Sequence, residues 1–231
     1  AAKSRQLVNQ VGYHNQFIGT FRELKRLLKT GILGELFHFT GEAYGPVVVK
    51  EKGGTWRSDP AEGGGCLFDY ASHVINLVQE VMGKPVKARG TMLKKIYSKE
   101  VEDAVFSMLT LESGLTGVLQ VNWSDETYRK MSTSLTIQGK KGKIICDATE
   151  IKIYLKERNE KENLDKGWTI KYITEFAIPV NFYLRGEEYS AQIDNFIGCI
   201  INKKQSEINT FEQALYTDKV IELLIEDSKK N

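Results

Sequence analysis

Cysteine and proline are scarce in this sequence: of 231 residues, 3 are Cys and 4 are Pro. Cys66, Cys146 and Cys199 are widely spaced and form no Cys-x-x-Cys pair. That excludes a full disulfide framework and gives no zinc signature. The reading is a reduced, cytosolic protein. An excess of one charge is also lacking. Thirty-two basic and 30 acidic side chains leave a net +2, which argues against a nucleic-acid binder. No run approaches the roughly 18 apolar residues of a membrane span, and Ala1 to Gln6 lacks the apolar centre of a signal peptide. The composition is otherwise that of a globular protein, 41% hydrophobic and 27% charged, long enough for one large domain with a sizeable core.

Periodicity divides the chain. Leu7–Tyr13 reads as a short strand. Phe17, Phe21, Leu24, Leu27 and Leu28 fall at helical spacing, and Gly31 is a natural stop. Gly34–Ala43 reads as a strand. From Gly45 to Gly65 periodicity is lost in a glycine-rich loop, a length that is often functional. A helix is expected over Leu67–Met82, with Leu67, Ala71, Val74, Leu77, Val78 and Val81 on its apolar side. After Pro85 the period becomes two. Strands are expected at Val86–Leu93, Ala104–Glu112, Thr116–Trp123, Ser132–Gln138, Lys143–Asp147, Ile151–Leu155 and Thr169–Ala177. Two helices close the chain, Gly186–Ile201 with an apolar side of Tyr189, Ile193, Phe196, Ile197 and Ile200, and Phe211–Asp227. The charge run Lys156–Lys166 reads as a solvated hairpin tip.

This order predicts an α+β fold, with consecutive antiparallel strands in a large open sheet and helices packed on one face. Val105, Met108, Leu119, Val121, Trp123 and Ile137 are apolar enough to suggest that both sheet faces are buried. The second would be covered by another copy, giving a homodimer or homotetramer.

The stretch that carries chemistry runs from Trp56-Arg57 through Gly63-Gly64-Gly65-Cys66 to Asp69, His73 and Asn76. Asp69 and His73 stand at i and i+4, with Asn76 at i+7, on one helix face opposite the apolar stripe. Consecutive glycines let backbone pass close to a ligand. A helix start offers unpaired N–H groups to bound oxygens. His is suited to taking and returning protons, and a carboxylate one turn away can favour its charged form or bind a substrate hydroxyl. At a helix start, Cys66 would gain thiolate character, although packing is the favoured role.

Gly-Gly-Gly-x-x-x-Asp-x-x-x-His preceded by Trp-Arg resembles the substrate-domain signature of the Gfo/Idh/MocA family of NAD(P)-dependent oxidoreductases. Val11-Gly12-Tyr13, the Leu24-x-x-Leu27-Leu28-x-x-Gly31 helix, Gln192-x-x-x-Phe196 and Ala214-x-x-x-Asp218-x-Val220-Ile221 are similar to its flanking elements. The resemblance implies a dihydrodipicolinate-reductase-like α+β domain over residues 14–231. Residues 1–13 would be the remnant of a Rossmann domain that holds NAD or NADP. It implies His73 as proton acceptor from a sugar or polyol hydroxyl and Asp69 as a substrate-binding, His-orienting group. Asn76 falls where many members have Asp. Trp56 and Arg57 lie in a loop that approaches substrate or nicotinamide, Tyr183 and Arg185 border the substrate pocket, and His14 lies at a turn that can face cofactor. Gln16 and Gly19 depart from the frequent Arg and Pro there. No Gly-x-Gly-x-x-Gly and no Glu-Lys-Pro occurs, so the chain is expected to be the C-terminal part of a longer enzyme, inactive alone.

Elsewhere, His38 reads as structural, and His14, His38 and His73 do not make a metal site by spacing. Trp123 and Trp168 read as packing residues. A non-catalytic binding or oligomerisation module, and an NAD-dependent glycoside-cleaving enzyme, remain alternative readings.

Overall fold

The computed structural model describes residues 1–51, 54–184 and 186–230. Its helices are α1 (Gly19–Lys29), α2 (Ser72–Met82), α3 (Glu187–Ile201) and α4 (Phe211–Ser228). Its strands are β1 (Leu36–Tyr44), β2 (Pro85–Lys94), β3 (Ala104–Leu111), β4 (Thr116–Asn122), β5 (Ser132–Gly139), β6 (Gly142–Asp147), β7 (Glu150–Leu155) and β8 (Gly167–Tyr172). All eight form one sheet in the order β2-β3-β4-β1-β5-β6-β7-β8. Neighbours are antiparallel except β1 and β4, which run parallel. The expected meander is thus corrected at its centre: β1, first in sequence, is inserted between β4 and β5. Its Thr40 stands opposite Val118 on one side and Thr136 on the other.

Helices α1, α2 and α4 pack against one sheet face. Phe21, Leu24 and Leu27 of α1 and Val74, Leu77 and Val78 of α2 are buried with Phe39, Leu119, Val121, Leu135, Ile137, Ile144 and Ile153. Each such side chain contributes about 1.5–3 kcal/mol by leaving water.

The expectation of an apolar sheet on both sides is corrected by parity. Val105, Leu119, Val121 and Ile137 all fall on the helix side and are buried, as is Trp123. Of that set, Met108 alone points to the open face, where it is 57% exposed. The middle of that face is polar. Glu42 accepts from Ser134 Oγ (2.9 Å), and Tyr44 Oη donates to Gln120 Oε1 (3.2 Å). His38 lies there opposite Gln138. Exposed apolar groups flank this middle: Met92 and Met108 at one end, Trp168, Ile170 and Tyr172 at the other.

Three further expectations are corrected. Leu7–Tyr13 joins no strand, because its backbone finds partners outside the sheet: Val11 N donates to the Asn209 carbonyl (2.7 Å). The strand expected to reach Ala177 ends at Tyr172, where a 3-10 turn (Ile173–Phe176) begins under a Glu175 bond to the Tyr172 N–H (2.9 Å). On α3, Tyr189, Ile193, Ile197 and Ile200 stay exposed, because α3 lies on the 3-10 turn His14–Phe17 and not on the sheet core. The Lys156–Lys166 tip carries an exposed ion-pair set in which Arg158 meets Glu160 and Asp165.

No helix among the described residues is long and apolar enough to cross a membrane. All three cysteines are free thiols.

Candidate functional site

Two short 3-10 turns, Trp56–Ser58 and Pro60–Glu62, lead into the glycine run. There the chain folds back on itself. Gly64 N donates to the Asp59 carbonyl (2.9 Å) and Gly65 N to the Arg57 carbonyl (3.1 Å). A Cβ on Gly64 would lie 2.5 Å from the Arg57 oxygen and 2.7 Å from those of Trp56 and Asp59. Gly65 has φ +107°, and a Cβ there would run into the Glu102 carboxylate. The expected close approach of glycine backbone to a ligand is therefore corrected: the approach is to the protein's own carbonyls.

The helix start is likewise occupied from within. Leu67 N donates to Glu102 Oε1 (2.7 Å), and Cys66 N to the Glu102 carbonyl (2.9 Å). The oxygen that a helix N-terminus attracts is supplied by Glu102. Burial, and then the nearby Glu102 charge, push the Cys66 thiol well up. A thiolate is disfavoured here, and the packing role favoured from the sequence agrees with the full burial of Cys66.

The first turn is not α-helical. Leu67–Ala71 is wound as a π-helix, with the Ser72 N–H reaching back to the Leu67 carbonyl. Such turns recur at functional sites. The Asp69 carboxylate accepts from Arg57 Nε at 2.8 Å. Arg57 in turn lies over the Trp56 ring, 4.5 Å from its centroid. Asp69 is thus committed to Arg57, which corrects the expectation that it orients His73.

His73 sits instead among rings. Tyr13 meets it edge-on at 5.4 Å, and His14 lies tilted at 5.1 Å. His14 also stacks on Tyr189 at 4.7 Å, so its ring has a neighbour on two sides. Two histidines 59 positions apart in sequence are therefore in contact, while His38 is on the far face of the sheet. Burial, with a smaller repulsion from His14, lowers the His73 pKa to about 3. His14 is lowered too, by burial first, although Glu188 and a bond to the Gly12 carbonyl oppose that. The Tyr13 hydroxyl is raised, chiefly by burial, with the neighbouring Thr217 and Ser72 opposing that.

The expected wet flank of this helix is covered. Asn76 is 1% exposed, and its Oδ1 accepts from Gln16 Nε2 at 2.8 Å. Gln16 and Tyr13 reach it from the N-terminal segment, and Thr217 of α4 takes a bond from Gln79 (3.0 Å). Yet the flank is unsatisfied. His73 Nδ1, Asn76 Nδ2 and Gln79 Oε1, at i, i+3 and i+6, are buried with no hydrogen-bond partner. Such atoms are rare in native proteins and call for an explanation.

The structure thus brings together His73, His14 and Asn76 on one flank, and Asp69, Arg57 and Trp56 beside it. It does not bring Tyr183 in, which is 72% exposed. Arg185 lies outside the described residues. Sequence reasoning missed Tyr13, Tyr189 and Glu102 as neighbours of these groups. Only Tyr189 carried a signal, its place one turn before Ile193 on α3.

A family model described as the GFO/IDH/MocA C-terminal domain matches residues 21–145. Two uncharacterised oxidoreductases of Schizosaccharomyces pombe are 27% and 32% identical over 104 residues, 44% of this chain and 28% of each relative. Among solved structures, a levoglucosan dehydrogenase in complex with NADH superposes with a TM-score of 0.85 at 17% identity, covering 99% of this chain and 66% of that one. An aldose-aldose oxidoreductase from Caulobacter crescentus complexed with glycerol gives 0.78 at 19%, covering 99% and 64%. These structures share the fold, and the chain spans less than two thirds of their length. The family match covers more than half of the chain and includes the glycine turn, Asp69 and His73; the chain belongs to the Gfo/Idh/MocA family, of which it carries the C-terminal domain.

Proposed function

We propose that this chain is the alcohol-binding, proton-handling half of an NAD- or NADP-dependent oxidoreductase acting on a sugar or polyol. The observation that carries the reading is the His73 imidazole. Burial keeps it uncharged at neutral pH, and its Nδ1 is unpartnered within the fold. Solved relatives bound to levoglucosan, L-sorbose and NADH support the substrate and cofactor classes.

The residues present fit the alcohol and not the dinucleotide. A dinucleotide cradle needs glycine N–H groups free for phosphate, whereas those of Gly64 and Gly65 donate to the loop's own carbonyls. In this reading the cofactor is held by a further domain of the parent protein, of which residues 1–13 are the tail. His14, with a ring on two sides, backs His73.

A nicotinamide held by that further domain would supply the hydride acceptor for the carbinol carbon. The chain's own residues handle the rest. As the carbonyl forms, the hydroxyl proton becomes strongly acidic, so a neutral imidazole of low basicity suffices to accept it. Asp69, held by Arg57, accepts from a neighbouring hydroxyl and fixes the alcohol toward His73.

The test is a dehydrogenase assay of the parent protein on a sugar and polyol panel, following NADH. His73→Ala should lower kcat by about 10²–10⁴-fold with the fold retained by circular dichroism. Unchanged turnover removes His73 from the mechanism. The same reading has the open sheet face covered by a second copy through the apolar groups at its two ends. Light scattering should then show a dimer or tetramer at micromolar concentration, and Ile170→Asp should shift it toward monomer.

A further inference from the structure

Beside the glycine turn lies a cavity of about 840 Å³ that includes neither His73 nor Asp69. One wall is the loop before the glycine run, with Thr55, Trp56, Ser58, Asp59 and Glu62; the other is the connection from β2 to β3, with Tyr97, Ser98, Lys99 and Glu100. Two adjacent residues fix one wall and the start of the helix that follows the other. The Asp103 carboxylate accepts from the Ile96, Tyr97 and Ser98 N–H groups (2.6–2.8 Å), from Ser98 Oγ and from Trp123 Nε1. Glu102 holds the helix start that follows the other wall, through the Cys66 and Leu67 N–H groups. The wall from β2 to β3 is therefore held in place by the protein's own bonds.

Its lining has a specific chemistry. Trp56 and Tyr97 leave 45% and 36% of their surface exposed, one from each wall. Arg57 already lies over the Trp56 ring, so the ring surface left to the cavity is what Arg57 does not cover. Around the rings stand hydroxyls and carboxylates. Ser98 donates to Asp103 and keeps its lone pairs, while Asp59, Glu62 and Glu100 offer acceptors. Lys99 is paired with Glu51 at 3.2 Å, so the charge of the lining is negative. No three His, Cys, Asp or Glu among the described residues converge on a cation position. Aromatic surface with acceptors at its edge suits a ring with apolar C–H faces and hydroxyls around its rim, and the carboxylates repel phosphate or uronate.

We propose that this cavity binds a neutral or cationic glycosyl ring, as a subsite next to the Arg57–Asp69 pair. The substrate of the site described above is then a glycoside or oligosaccharide rather than a free monosaccharide. Only the position of this second ring relative to the oxidised one rests on that reading; binding in the cavity does not.

The experiment is calorimetry and saturation-transfer NMR on the full 231-residue chain without cofactor. The probes are methyl maltoside and cellobiose (neutral), deacetylated chitobiose (cationic) and a glucuronate disaccharide (anionic). A neutral or cationic probe should bind with a Kd of about 1 mM or tighter. Trp56→Ala and Tyr97→Ala should each weaken it at least tenfold, Trp56→Phe should restore most of it, and the anionic probe should bind at least tenfold more weakly. Trp168→Ala, an exposed aromatic on the open face of the sheet, should leave it unchanged. No binding of any probe, binding indifferent to Trp56 and Tyr97, or equal binding of the anion overturns the proposal. Binding lost with His73→Ala but kept with Trp56→Ala also overturns it, while leaving the oxidoreductase reading intact. Binding that follows Trp56, together with unchanged turnover in His73→Ala, supports the subsite and removes the proposed mechanism instead.

Discussion

The glycine turn and the His73 flank adjoin in space and in sequence, but they treat their polar groups in opposite ways. In the turn, the N–H groups of Gly64, Gly65, Cys66 and Leu67 all find an acceptor within the protein. Along the flank, His73 Nδ1, Asn76 Nδ2 and Gln79 Oε1 are buried and find none. Burying an unpaired polar group costs about 1–3 kcal/mol, so the flank carries a load that the turn does not. A closed, satisfied turn followed by a poised, unsatisfied helix face is what a positioned site requires: one part fixes geometry, the other keeps capacity for a ligand.

The largest test of this contrast is Gly65→Ala. It combines φ +107° with a Cβ driven into the Glu102 carboxylate. It should destabilise the chain by about 2–4 kcal/mol, read as a lower urea midpoint at constant m. Next is acid. The His73 pKa is lowered from 6.5 to about 3 in the fold. Below pH 6.5 the unfolded chain therefore takes up a proton that the folded chain refuses. Stability is full above that pH and falls by about 1.4 kcal/mol per pH unit from His73 alone as pH drops toward 3; His14, also lowered, adds to the slope. His73→Leu should flatten this slope. An unaltered slope would mean that the imidazole is not held neutral. Third is Gly63→Ala. This glycine has φ +74° but nothing near its absent Cβ. The substitution should cost only about 1 kcal/mol, from the left-handed backbone. Equal costs at Gly63 and Gly65 would mean that Glu102 does not pack as tightly against the turn as described.

What could be read from the sequence divides on the same lines. Local periodicity located α1 and every strand from β2 to β7 to within two residues, because apolar spacing is a property of a few turns or pleats, but it began the next helix at Leu67, five residues before α2 starts at Ser72. It did not place β1 between β4 and β5, since alternation says which face a residue takes and not which strand lies beside it. The apolar stripe of α3 was legible, but not that it stays open, because a stripe does not name its cover. In the site, Asp69, His73 and the glycines stood out as one motif. Glu102 closing the turn from 35 residues away, and His14 meeting His73 across 59, are products of the tertiary fold, and no short spacing announces them. The π-wound first turn was equally hidden, as was the Arg57 bond that Asp69 takes while His73 Nδ1 is left without a partner.

The smallest effect is expected where the two regions join. Arg57 reaches from the turn to Asp69 on the helix, with side chains 39% and 18% exposed. Solvent screens such a pair, so Arg57→Ala should cost at most about 1 kcal/mol, with a comparable small share from the contact to Trp56. If the pair serves to hold an alcohol, the same substitution should raise KM about tenfold in the parent enzyme while leaving the urea midpoint nearly unmoved. A large loss of stability with little change in KM would reverse that assignment. Arg57 would then be a strut tying the turn to the helix, and turn and flank would form one structural unit in place of a frame and a poised site.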